Sequence, residues 1–187
     1  MDAVLFVELE DLRPTDLLAM RRHEVVEHAV QVRDGALVQV RDHYVLPDWD
    51  DAKRREICHR VAECRDGGGA AWGARVDDVL VALAAVDARP VGGDGGVVSL
   101  DLLHVSAPWR GRGFARTLTE RAAAFAQSVG AHTLYVSASN SERTVAVYRR
   151  FGAVVADSPD PAWFAREPLD VHLRLPLPLA NPRGATP

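Results

Sequence analysis

Cysteine is nearly absent from this chain: Cys58 and Cys64 are the only two, six positions apart in a stretch with helical spacing, and so point to different faces. That excludes a disulfide framework and a cysteine metal cluster, and suits two ordinary thiols of a reducing compartment. No apolar run approaches the ~20 residues that cross a bilayer. The N-terminus also lacks a basic segment followed by an apolar stretch and a small-residue cleavage site. A cytoplasmic protein with no membrane partner is therefore expected. An excess of positive charge is missing too. The net charge is −4 with mixed signs, so the composition gives no support for nucleic-acid binding. Lysine occurs once, as Lys53, and arginine carries the remaining basic charge. With abundant Ala, Val, Asp and Gly, this reads as codon bias and not as a binding surface.

The 187 residues that are present suffice for a single core. One domain over 1–175 is expected, followed by a proline-rich flexible tail over 176–187. Val4 to Leu9 reads as a first strand. Pro14-Thr15-Asp16 opens a short helix that carries Leu17, Leu18 and Met20 toward the core. Asp34-Gly35 between two Val-rich alternating runs, Ala29–Val32 and Leu37–Val45, signals a hairpin. A helix follows from Asp50 or Asp51 to Cys64, stopped by Gly67-Gly68-Gly69. Strands are expected at Ala71–Val76, Val79–Asp87 and Val97–Val105, with a mobile glycine-rich connection from Arg89 to Gly96. Then come a helix from Gly113 to Val129, a strand from His132 to Ala138, and a helix from Ser141 to Phe151. Short strands at Ala153–Ala156 and Leu169–Leu175 close the domain. This order fits an α/β (α+β) architecture, a mixed central sheet with helices on both sides.

The most informative segment is Val105-Ser-Ala-Pro-Trp-Arg-Gly-Arg-Gly-Phe-Ala115, which ends a strand and opens an Ala-rich helix. Arg110, Gly113 and Ala115 fit the pattern Arg/Gln-x-x-Gly-x-Gly/Ala, with a second glycine at Gly111. A chain turning from strand into helix presents several backbone N–H groups before the first intrahelical bond closes, and the helix dipole adds positive potential. Glycines let that backbone approach a diphosphate closely. A dinucleotide fold would need a third glycine where Arg116 stands and an early strand before the motif, so it is rejected.

A second block follows: the strand Leu134-Tyr135-Val136-Ser137-Ala138, then a helix carrying Tyr148 four residues before Gly152. Together the two blocks resemble the GCN5-related N-acetyltransferase (GNAT) superfamily over about 96–156, with flanking elements extending the match to most of the chain. The resemblance implies a splayed pair of parallel central strands, with acetyl-CoA as co-substrate. It implies transfer of the acetyl group to the amine of a small molecule or peptide in a ternary complex. It places the diphosphate on Arg110, Gly111, Arg112, Gly113, Phe114 and Ala115, with a charge-assisted contact from Arg110 or Arg112. It places the pantetheine arm along Leu103, His104 and Val105, with Asn140 or Ser141 standing in for an asparagine that relatives often carry. Tyr148 takes the role of acid for the departing thiolate.

The resemblance implies a base that neutralises the amine near Asp101, where many relatives place a glutamate; alternation along this central strand puts Asp101 on one face with Leu103 and Val105, and His104 on the other. Asp170 and His172 share one face of the final strand, where they either offer a proton relay through water, which makes His172 a second candidate, or make an edge-strand hydrogen bond with no catalytic role. The acceptor pocket is expected from the polar cluster after the first helix, with Arg22 and Glu24 as substrate-binding residues. No metal ligand set is present. A non-catalytic acyl-CoA-binding module is the competing reading, and Tyr148 argues against it. A monomer or homodimer is expected.

Overall fold

The computed structural model describes residues 3–179. Its centre is β5 (Val79–Asp87), whose run Leu80 to Val86 is buried on both faces. Such a strand must be covered by helices on either side, which explains its uninterrupted apolar sequence. Around it lies a seven-stranded sheet in the order β1-β4-β5-β6-β7-β9-β8, formed by β1 (Val4–Glu8), β4 (Ala70–Val76), β6 (Val97–Val105), β7 (Thr133–Ala138), β8 (Val154–Val155) and β9 (Val171–Pro176). All neighbours are antiparallel except β6 and β7.

The helices divide the core into two layers. α2 (Phe114–Ser128) and α3 (Glu142–Arg150) cover one face, where Leu118, Ala122, Val145 and Tyr148 meet Val98, Leu100 and Val136. α1 (Asp51–Asp66) covers the other, where Ile57, Val61 and Cys64 meet Leu80, Leu83 and Leu102. Asp50 caps α1 by accepting from the Lys53 amide at 2.7 Å. The hairpin of β2 (Glu24–Arg33) and β3 (Ala36–Leu46) forms a separate two-stranded sheet. It docks beside the start of α3, with the Val30 amide donating to Asn140 O at 2.8 Å. None of the helices among the described residues is long and apolar enough to cross a membrane.

The parallel pair determines where chemistry can occur. β6 and β7 are in register only at Val97–Thr133, Val98–Leu134 and Ser99–Tyr135, and then diverge. A bulge helps to turn β6: Leu100 pairs with Val86 and Leu102 with Ala85, so Asp101 is the extra residue.

Several expectations need correction. The expected first helix is a single 3-10 turn, Pro14–Leu17, with Leu17 and Met20 buried but Leu18 exposed. The chain then straightens because Asp48 Oδ1 accepts from the amides of Arg22 and His23 at 2.7 and 3.0 Å. β2 thus starts at Glu24, which puts Glu24, Glu27 and His28 on a strand and not at a helix end. The short α4 (Pro161–Arg166) was not anticipated, although Asp160 before Pro161 is a capping signature. The connection from Arg89 to Gly96 is an organised turn, held by Val91 N–H to Val97 O at 2.9 Å. Pro176 belongs to β9, and Leu177 and Leu179 pack on the core, so the domain does not end at 175. The rest of the expected tail, 180–187, lies outside the described residues.

Candidate active site

The turn before α2 has the conformation its glycines require. Gly111 and Gly113 sit at φ +78° and +88°, and a Cβ built on either meets no atom within 4 Å, so the backbone faces open space. The first bond of α2 runs from the Thr117 amide to Gly113 O at 3.1 Å, and no side chain caps this end. The amides of Phe114, Ala115 and Arg116 therefore precede the first helical bond and are presented together with the positive end of the helix dipole.

These amides border a groove of about 410 Å³. Of the residues expected at the cofactor, Leu103, His104, Val105, Arg110, Gly111, Gly113, Phe114, Ala115 and Tyr148 line it. Three expected residues do not. The Arg112 guanidinium lies 4.5 Å from the Trp109 ring centroid and stays outside the lining. Asn140 anchors the hairpin by accepting from the Tyr44 hydroxyl, and Ser141 caps α3 through the Thr144 amide at 3.2 Å. In their place, Arg143, Thr144, Val147 and Arg150 of α3 face the groove, as does Arg116 of α2. Arg143, Val147 and Arg150 follow an i, i+4, i+7 pattern, so the sequence itself places them on one face of the helix.

Arg110 lines the groove but turns away from an incoming anion. Its guanidinium donates to Glu24 at 2.9 Å, to Arg22 O at 3.1 Å and to Val105 O at 3.3 Å. It thus ties the start of β2 to the end of β6, and Glu24, 11% exposed, is its ion-pair partner.

A second cavity of about 230 Å³ lies on the α1 side of the splayed strands. It shares Glu24, Leu103, His104, Arg110, Thr144 and Tyr148 with the groove, so the two spaces meet at Tyr148. The Tyr148 phenol is pushed up by burial, with smaller contributions from Asp170 and Glu167, and stays protonated at neutral pH. His104 packs against Trp49 with ring centroids 4.4 Å apart. Burial, then Arg110 and Arg22, push its imidazole down to about 3, so the ring is neutral.

Because Asp101 is the bulged residue, it faces α1 together with Leu102 and His104, opposite to Leu103 and Val105. The alternation expected from the sequence therefore fails at this strand. Its carboxylate, 6% exposed, is held by Arg60 Nε at 2.9 Å and by Arg166 at 3.2 Å. Burial alone would lower the Arg60 guanidinium, but Asp101 beside it raises it instead. A carboxylate whose two oxygens are each held by a guanidinium is a structural link, turned to its arginines and not to an incoming amine. Replacing Asp101 with Asn should destabilise the protein by about 3 kcal/mol, because Arg60 loses the closer of its two carboxylate partners inside the fold. A chemical denaturation series measures this, and an unchanged midpoint would remove the structural role.

His172 does not line either space. The Tyr135 hydroxyl accepts from the Asp160 amide at 3.0 Å and is hydrogen-bonded to His172 Nδ1 at 2.9 Å. The imidazole is neutral, lowered by burial, and packs against Phe164. Asp170, two residues earlier, does line the second cavity. Its Oδ2 accepts from Ser137 Oγ at 3.1 Å, where β7 has left β6. Burial, then Glu167, push this carboxyl up to about 6.

Solved structures of several acetyltransferases share this fold. A nourseothricin acetyltransferase superposes with a TM-score of 0.66 at 19% identity, covering 94% of this chain and 99% of that one. A GNAT-family acetyltransferase from Staphylococcus aureus Mu50 gives 0.61 at 10% identity, over 92% and 97%. A Bacillus anthracis str. Ames protein assigned as a streptothricin acetyltransferase, solved with acetyl coenzyme A, gives 0.57 at 10% identity, over 93% and 97%. A search of curated protein sequences gives no match. The model of the acetyltransferase (GNAT) family matches residues 35–153, well over half of the chain, and the protein belongs to that family.

Proposed function

We propose that this chain is an N-acetyltransferase that moves the acetyl group of acetyl-CoA to a primary amine of a small molecule by direct attack in a ternary complex. The observation that carries this reading is the meeting of two spaces at Tyr148. One has an amide-lined, uncapped helix start with two left-handed glycines, and the other holds an elevated carboxyl. The solved relative that holds acetyl coenzyme A supports the choice of donor.

Each group has a defined task in this scheme. The amides of 114–116 hold the diphosphate, with Arg143 and Arg150 supplying positive charge at the same groove. A neutral amine nitrogen in the second cavity attacks the thioester carbonyl, the C–S bond breaks, Tyr148 gives the departing sulfur a proton, and the proton that the new amide nitrogen loses restores the phenol. Amine activation is the harder step. A lysine-like amine of pKa ~10.4 requires roughly 4–5 kcal/mol to be neutral at pH 7. Asp170 takes that proton. A carboxyl titrating at about 6 is ionised at pH 7 yet more basic than an ordinary aspartate. Asp101, held by two arginines, and His172, outside the cavity, are replaced in this role.

Gly113→Val is expected to weaken acetyl-CoA binding at least tenfold, about 1.4 kcal/mol, as read by calorimetry. A side chain at φ +88° is also strained, by ~1–2 kcal/mol, so a thermal melt run in parallel separates binding from folding. A folded variant with unchanged affinity would take the start of α2 out of the donor site.

A further inference from the structure

The acceptor cavity contains equal numbers of positive and negative side chains, and most of them are held in ion pairs. Its cations are Arg22, Lys53, Arg60 and Arg110. Lys53 binds Glu56, Arg60 binds Asp101 and Glu167, and Arg110 binds Glu24. Its carboxylates are Glu24, Asp101, Glu167 and Asp170, and the first three are partners in those same pairs. Two of these eight charged groups have no ion pair with any described residue. Asp170 has only the Ser137 hydroxyl. The Arg22 guanidinium has no hydrogen bond or ion pair among the described residues; the bonds of Arg22 are made by its backbone N and O.

Arg22 is nevertheless held in place. Its amide donates to Asp48 and its carbonyl accepts from Arg110, which fixes the main chain at the cavity edge. From there its charge acts on Tyr44, His104 and Asp170. His104 brings no competing charge, because its ring is neutral. One guanidinium and one carboxyl thus remain to meet a ligand. A planar guanidinium binds a carboxylate through two parallel hydrogen bonds, while the carboxyl receives an amine. At about 230 Å³ the cavity is smaller than the 300–1,000 Å³ usual for drug-sized ligands, and Leu46, Trp49 and Ile57 give it an apolar wall.

From these observations we infer that the acceptor is a small amino acid, whose carboxylate is bound by Arg22 and whose amine is directed to Asp170. This rests on the acetyltransferase reading above and narrows it to amines that also carry an acidic group. A simple diamine would leave Arg22 unpaired and facing a second cation.

The test compares sets of three matched acceptors: an α-amino acid, its amide, and its decarboxylated amine. Free-thiol release from acetyl-CoA is the readout. The parent protein should favour the acid over both analogues by at least tenfold in kcat/KM. In Arg22→Gln the ratio of acid to amide should fall to about one, and in Arg22→Lys it should recover in part. Equal or better turnover of the amide or the amine by the parent would overturn the inference while leaving the acetyltransferase reading intact. Failure of every amino acid would overturn it as well. Acetyl-CoA calorimetry on the same sample then reports separately whether the donor site exists.

Discussion

Asp170→Asn should lose activity and gain stability. At saturating amine, kcat of the parent should rise with pH through about 6, as the Asp170 carboxyl ionises, and level off above it. The asparagine variant should lack that rise and fall by roughly 10²–10⁴-fold at neutral pH, the contribution expected of a positioned proton acceptor. The stability effect follows from the same burial. The folded carboxyl titrates at about 6 and the unfolded one at 3.8, so the native state binds the proton more tightly. Stability of the parent therefore declines as pH rises from about 4 to 6, and the full penalty is present above that window. Two pKa units correspond to about 3 kcal/mol, an upper bound on what removing the charge recovers. Asparagine keeps an oxygen for the Ser137 hydroxyl. A rise in Tm of a few degrees at pH 7.5, vanishing near pH 4, is expected in thermal melts. An active variant, or one with no stability gain, would contradict the assignment.

Tyr148→Phe should give the second large loss, with a different signature. The ring is 5% exposed and packs in the main core with Val145 and Phe151, and phenylalanine keeps that packing. The phenol has no hydrogen-bond partner among the described residues, so its removal leaves no buried group unpaired. We expect kcat to fall ten- to a thousandfold, or roughly 1.4–4 kcal/mol of barrier, with acetyl-CoA affinity nearly unchanged. A loss confined to acetyl-CoA binding would make Tyr148 a wall of the groove. Full activity would leave water as the proton donor.

The anchor was legible in the sequence because its physics is local. Two glycines, a strand end and a helix start lie within a few residues, and their geometry needs nothing from the rest of the chain. Asp101 was misread because period-two alternation assumes a regular strand. The bulge that breaks it depends on how β5 pairs with β6. The fate of Arg110 was hidden for a related reason, since its partner Glu24 lies 86 residues away. Asn140 and Ser141 match the position of a ligand contact, but the same residue types cap helices and hold hairpins, and here they do that. Asp170 and His172 are neighbours in sequence on one face, yet only the first reaches the cavity, because Tyr135 and Phe164 enclose the second. Arg22 stood out for its charge. Its significance appeared only when the other charges around it were seen to be paired.

The central claim is that the donor groove and the acceptor cavity act together at Tyr148. The most direct measurement incubates the protein with acetyl-CoA and an amine, and compares the amount of free CoA thiol with the amount of acetylated amine found by mass spectrometry. Equal amounts of the two, with no acetyl group retained on the protein and no thiol released without amine, are the predicted result. Thiol release without acetylated amine, or an acetylated protein as the turnover species, would contradict direct transfer between the two spaces.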